Sequence, residues 1–66
     1  MKIKVNGGTL ELAAGSTVAQ LIEQLGLEAG PVAVERNGQV VKRACHPTEV
    51  LAENDVIEVV HFVGGG

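Results

Sequence analysis

Thr17-Val18-Ala19-Gln20-Leu21-Ile22-Glu23-Gln24-Leu25-Gly26-Leu27 is the stretch that decides the fold. Val18, Leu21, Ile22 and Leu25 recur at helical spacing, which places one apolar stripe along about two turns. Thr17 with Gln20 three residues on has the spacing of a capping box, where each side chain serves a backbone N–H of the other residue. Gly26 stands where a helix ends in a left-handed residue, and Leu27 beyond it is placed to fold back on the last turn. Gln20, Glu23 and Gln24 occupy the other face and read as solvated surface. A lone helix must bury its stripe, and the rest of the chain reads as strands and turns. The stripe therefore meets one face of a sheet.

Upstream, Lys2 and Lys4 alternate with Ile3 and Val5, the period of a half-buried strand over Met1 to Asn6. Asn6-Gly7 is a pair suited to a turn with positive φ at both positions, and Thr9 to Ala13 resumes the alternation with Leu10 and Leu12 on one face. Downstream, Gly30-Pro31 opens onto a strand from Val32 to Arg36 with Val32 and Val34 inward. Asn37-Gly38 then turns into Gln39 to Lys42. Periodicity fails from Arg43 to Leu51, where His46-Pro47-Thr48 predicts a loop and a short turn. Asn54-Asp55 is a last turn signal before the strand Val56 to Val63. The predicted order is β-β-α-β-β-(turn)-β, an α+β domain with a mixed sheet of four to five strands and one main helix packed on one face.

Composition narrows the function classes. The sequence has 66 residues, so one small domain is expected, and its 45% apolar residues suffice for a core. The net charge of −3, with Lys42 and Arg43 as the only adjacent cations, argues against nucleic acid. No apolar run approaches a membrane span and none resembles a signal peptide, so neither membrane nor export is expected. The single Cys45 fits a reducing, cytoplasmic setting.

The last strand carries more apolar surface than one buried face needs. Ile57 and Val59 share one side; Val56, Glu58, Val60 and Phe62 share the other. Coverage by the Arg43 to Leu51 loop would explain Val56, whereas Val60 and Phe62 are better explained by a partner surface, because they lie nearest the closing Val63-Gly64-Gly65-Gly66. Glycines without Cβ atoms suit threading into a narrow channel, and three residues extend about 10 Å.

Together, the Asn6-Gly7 hairpin, the Ser16-Thr17-Val18-Ala19-Gln20-Leu21 helix entry, the Ala33-Val34-Glu35-Arg36-Asn37-Gly38 strand and turn, and the ending Ile57-Glu58-Val59-Val60-His61-Phe62-Val63-Gly64-Gly65-Gly66 resemble the ThiS family over essentially the whole chain. These are ubiquitin-like sulfur carriers of thiamine biosynthesis. The resemblance implies a β-grasp domain over residues 1–63 and a flexible tail over 64–66. It implies that a ThiF-like enzyme adenylates the Gly66 carboxylate with ATP, and that sulfur from a cysteine desulfurase pathway displaces AMP to leave a thiocarboxylate. Thiazole synthase, ThiG, then takes the sulfur. Gly64, Gly65 and Gly66 would thread into the partner, with Val60, Phe62 and Val63 as the docking surface. Under this reading the chain has no catalytic residue, metal or cofactor of its own. Related carriers for molybdopterin, tRNA thiolation or cysteine synthesis, a ubiquitin-like modifier, and a plain interaction module are the alternatives.

The remaining chemistry-bearing residues suggest no competing site. Cys45 beside His46 lacks a third group to orient the base, so a partly buried or loop thiol is expected. His46 and His61 are too few and too far apart to specify a metal site. His61 is expected on the strand leading to the tail. Glu35, Asp55, Glu58 and Lys42 read as solvated face.

Overall fold

Both Asn-Gly pairs adopt the turn that their chemistry favours. Asn6 and Gly7 have φ of 50° and 85°, and Asn37 and Gly38 have 51° and 83°. Positive φ at both central positions defines the type I′ hairpin turn, whose twist matches that of the flanking strands. The computed structural model describes residues 1–62. Its hairpins are β1 (Lys2–Val5) with β2 (Gly8–Glu11), and β3 (Val32–Arg36) with β4 (Gln39–Val41). Helix α1 (Val18–Gln24) lies between the hairpins, a 3-10 turn spans Arg43–Cys45, and β5 (Val56–His61) closes the order.

The five strands form one mixed sheet in the order β2-β1-β5-β3-β4. β5 lies at its centre, parallel to β1 and antiparallel to β3. Four strands end earlier than the alternation predicts: β1 stops at Val5 because Asn6 enters the turn, and β2, β4 and β5 stop where their pairing does. Lys2 opposite Glu11 is the last registered pair of the first hairpin, and after the bonds between Met1 and Leu12 at 2.8 and 2.9 Å no partner residue remains for Ala13. Val34 opposite Val41 is the last of the second, and Lys42 enters the 3-10 turn instead. At the end of β5, the Phe62 N–H still donates to the Pro31 carbonyl at 3.1 Å. Proline has no N–H to return the bond, and the strand ends at His61.

Helix α1 is capped at both ends as its sequence requires. The Gln20 N–H donates to Thr17 Oγ1 at 3.3 Å, while the Thr17 N–H donates to Gln20 Oε1 at 2.8 Å. At the other end, the Gly26 N–H donates to the Glu23 carbonyl and the Leu27 N–H to that of Ile22. With Gly26 at φ 74°, this is the two-bond Schellman ending. Val18, Leu21 and Ile22 are buried and Leu25 is half-buried, packed against Ile3, Val34, Ile57 and Val59 on the sheet. Each such side chain contributes on the order of 1.5–3 kcal/mol by leaving water.

The aperiodic segment after β4 completes the helix start. The first N–H groups of a helix lack intrahelical acceptors. Here the Val18 N–H donates to the Glu49 carbonyl and the Ala19 N–H to the His46 carbonyl, both at 2.9 Å. The Leu51 N–H in turn donates to the Ser16 carbonyl, and Leu51 is buried in the core. This segment sits beside the helix, not over the open face of the sheet, so it does not cover Val56. Val56 remains 47% exposed.

Asp55 departs from the solvated position expected of it, being only 6% exposed. Its carboxylate accepts from Arg36 Nε and the Ala52 N–H at 2.8 Å, and from Asn37 Nδ2 at 3.0 Å. Burial alone would raise the Asp55 pKa. The Ala52 N–H, the Asn37 amide and the Arg36 guanidinium outweigh it and hold the carboxyl below its ordinary value. Arg36 also donates to Glu49 at 2.9 Å, which ties the helix-capping segment to the start of β5. The Glu49 bond and Asp55 outweigh desolvation and hold Arg36 firmly charged.

Candidate functional site

Strand β5 is central and carries apolar residues on both faces, while helix α1 covers only one of them. Ile57 and Val59 point into the core and are 0% and 7% exposed. Val60 and Phe62 are each 53% exposed on the open side. Register extends this surface: Val60 pairs with Ala33, and Val40 of β4 pairs with Glu35, next to Glu58. Val40 is itself exposed. The open side therefore presents Val56, Val60 and Phe62, interrupted by Glu58, with a further exposed valine on the edge strand.

Charge on this face is unusual. Glu35 and Glu58 are directly opposite each other on adjacent strands. Like charges in that position repel, and among the described residues neither belongs to an ion pair. Lys4 opposes Val56 farther along the same face.

On the helix side, His61 pairs with Val32 and its ring lies against Gly30. A Cβ built at Gly30 would fall 2.6 Å from His61 Nε2. The Gly30-Pro31 loop is thus shaped to admit this ring, beyond its evident role as a chain break. Cys45 is exposed on the 3-10 turn. His46 is buried with Nε2 at 3.2 Å from the Val41 carbonyl, so that nitrogen donates there. This engages the ring with β4 and gives no support to a nucleophile and base pair.

Of the sequence-predicted docking residues, Val60 lies on the exposed face of β5 and Phe62 is exposed just beyond its end. Val63, Gly64, Gly65 and Gly66 lie outside the described residues. Among the described residues, no three His, Cys, Asp or Glu side chains form a metal-binding group, and no helix is long and apolar enough to cross a membrane. Sequence reasoning missed the role of Asn6, whose side chain bonds to the backbone of β5. Asn-Gly turn chemistry already accounts for an asparagine at that position, so the sequence contains no second signal for it.

Among the described residues, a five-stranded mixed sheet with its first and last strands parallel at the centre and a single α-helix across one side defines a β-grasp protein. The chain belongs to the ThiS family, whose model matches residues 3–66. Similarity to solved structures agrees. The crystal structure of the thiamine biosynthesis protein ThiS from Geobacter metallireducens superposes with a TM-score of 0.82 at 32% identity, covering 100% of both chains. The sulfur carrier protein ThiS of Escherichia coli is 32% identical over 66 residues, again 100% of both. A thiazole synthase of Magnetococcus marinus is 50% identical over 66 residues, and the chain spans only 20% of that protein's length.

Proposed function

We propose that this chain is a sulfur carrier of thiamine biosynthesis, with the Gly66 carboxylate as the group that carries the sulfur. The end-to-end match to the sulfur carrier protein of Escherichia coli is the observation that carries this reading. The exposed Val60 and Phe62 support it, because a carrier handed between enzymes needs a surface that its own fold leaves uncovered.

A terminal carboxylate has a pKa of about 3.3–3.7, so it is ionised at neutral pH and is a poor electrophile. In the proposed cycle, a ThiF-like partner directs a Gly66 oxygen onto the α-phosphorus of ATP, and pyrophosphate leaves. The resulting acyl-adenylate accepts a sulfur nucleophile supplied through a cysteine desulfurase. A C–S bond forms as the C–O bond to AMP breaks, leaving the thiocarboxylate. Thiazole synthase is the proposed acceptor, in keeping with the 50% identity to part of a protein of that name. Catalysis belongs to the partners, in the reducing cytoplasm. Gly64, Gly65 and Gly66 thread into their channels, while Val60, Phe62 and Val63 dock outside. The domain then comprises residues 1–63 and the tail 64–66.

Incubation with the adenylating enzyme, ATP and a sulfur donor, followed by intact-mass analysis, tests the reading. One oxygen of the protein should exchange for sulfur, and removal of Gly66 should abolish the exchange without lowering the melting temperature. An unchanged mass would overturn the proposal. Complementation of a thiazole auxotroph separates this pathway from carriers serving molybdopterin, tRNA thiolation or cysteine synthesis. Higher-mass lysine adducts in extracts would instead indicate a protein modifier.

A further inference from the structure

Strand β1 is too short to hold all of β5. Its registered pairs with β5 are Lys4 with Val56 and Val5 with Ile57, and the Asn6 N–H adds a bond of 2.9 Å to the Ile57 carbonyl. The main chain then turns away, because Asn6 takes φ 50° to enter the hairpin. The side chain continues the ladder where the backbone leaves it. Asn6 Oδ1 accepts from the Val59 N–H at 2.7 Å, and Asn6 Nδ2 donates to the Val59 carbonyl at 3.1 Å. A carboxamide carries the same donor and acceptor as a peptide unit, so it substitutes for the strand residue that the turn removes. Beyond Val59, the described bonds to β5 come from the other side, through β3 and Pro31.

We infer that Asn6 is a positioning residue for carrier activation: its carboxamide clamps β5 at Val59 so that Val60 and Phe62 meet the adenylating partner in a strand already formed. This inference rests on the carrier reading above. Val59 itself faces the core, and the docking side chains begin at the next residue. A strand loosened at Val59 must be reordered when the partner binds, which weakens ground and transition states alike. The expected kinetic signature is a raised KM for the carrier with kcat preserved.

Asn6→Gly tests this, since glycine tolerates the same positive φ and removes only the clamp. Asn6→Asp provides a second variant, which keeps an acceptor for the Val59 N–H but opposes the Val59 carbonyl with a carboxylate. Two readouts are taken below the melting transition: amide hydrogen exchange at Val59, and ATP–pyrophosphate exchange by the adenylating enzyme at varied carrier concentration. Faster exchange at Val59 with core amides unchanged, and a carrier KM raised roughly three- to tenfold at constant kcat, is the expected result, the size given by one or two hydrogen bonds. Loosened Val59 with an unchanged KM would make Asn6 merely structural and overturn the inference. A raised KM with Val59 still protected would overturn it too, since Asn6 would then act by touching the partner. Wild-type protein that supports no ATP–pyrophosphate exchange would refute the carrier reading, whatever the behaviour of Val59.

Discussion

Replacing Asp55 by asparagine should cost about 2 kcal/mol at neutral pH and almost nothing in acid. The carboxylate accepts three bonds, from Arg36 and Ala52 on Oδ2 and from Asn37 on Oδ1. A carboxamide has one oxygen, and in either orientation its NH2 faces at least one of those donors. Asn37 cannot turn its own amide to help, because its Oδ1 accepts from the Val56 N–H at 2.9 Å. One orphaned donor costs about 1–3 kcal/mol, and the Arg36 bond loses its charge assistance. Arg36 is 25% exposed and keeps Glu49, so the middle of that range applies, not its top. At about 2.1 cal/mol/K of unfolding entropy per residue, a domain this small loses roughly 7 °C per kcal/mol, or about 14 °C for this variant.

Acid supplies the second arm of the experiment. The Asp55 pKa is lower in the folded protein than in the unfolded chain. Its stabilisation is therefore complete above the unfolded value of about 3.9 and is lost as pH falls through the folded value. Urea melts of Asp55→Asn and wild type should differ fully at pH 7 and converge towards pH 2. A gap that stays constant with pH, or stays below about 0.5 kcal/mol at pH 7, would refute the assignment of Asp55 as a charged anchor for β5.

Three further outcomes test the packing and the open face. Leu21→Ala, at a fully buried position, should cost about 2–5 kcal/mol. Total stability for this length is roughly 3–10 kcal/mol, so circular dichroism should show much or all of the fold lost at 37 °C. Gly26→Ala meets no atom within 4 Å but must hold φ 74°, so backbone strain of about 1–2 kcal/mol should appear as a lower melting temperature without loss of the helix signal. Glu58→Gln should raise stability by about 0.2–1 kcal/mol by relieving its repulsion with Glu35. Added salt should shrink that gain, and a salt-independent gain would point to something other than charge.

The helix and the two hairpins were legible because each rests on local chemistry. Thr17, Gln20 and Gly26 cap α1 through bonds within a few residues, and both Asn-Gly turns need only their own φ values. Asp55 was misread for the opposite reason. Its partners Arg36 and Asn37 are 19 and 18 residues away, and the nearby Asn54 gave a sufficient local account of the segment as a turn. The segment after Arg43 shows no periodicity because its work at the helix start is done by main-chain carbonyls at His46 and Glu49, which a residue of any type supplies.

The most informative stretch is β5, where side-chain alternation and strand position must be read together. Two apolar faces on one strand are consistent with coverage on both sides or with coverage on one side and an exposed row on the other. Alternation alone cannot choose, because it assigns residues to faces without saying what lies over them. The helix start decides it: Thr17 and Val18 draw the Glu49 to Leu51 segment against α1, which leaves the opposite face open. The exposure of Val60 and Phe62 thus follows from how the helix N-terminus satisfies its own N–H groups. A change that released that segment, such as loss of the Arg36 to Glu49 bond, would disturb the helix start before it altered the open face of β5.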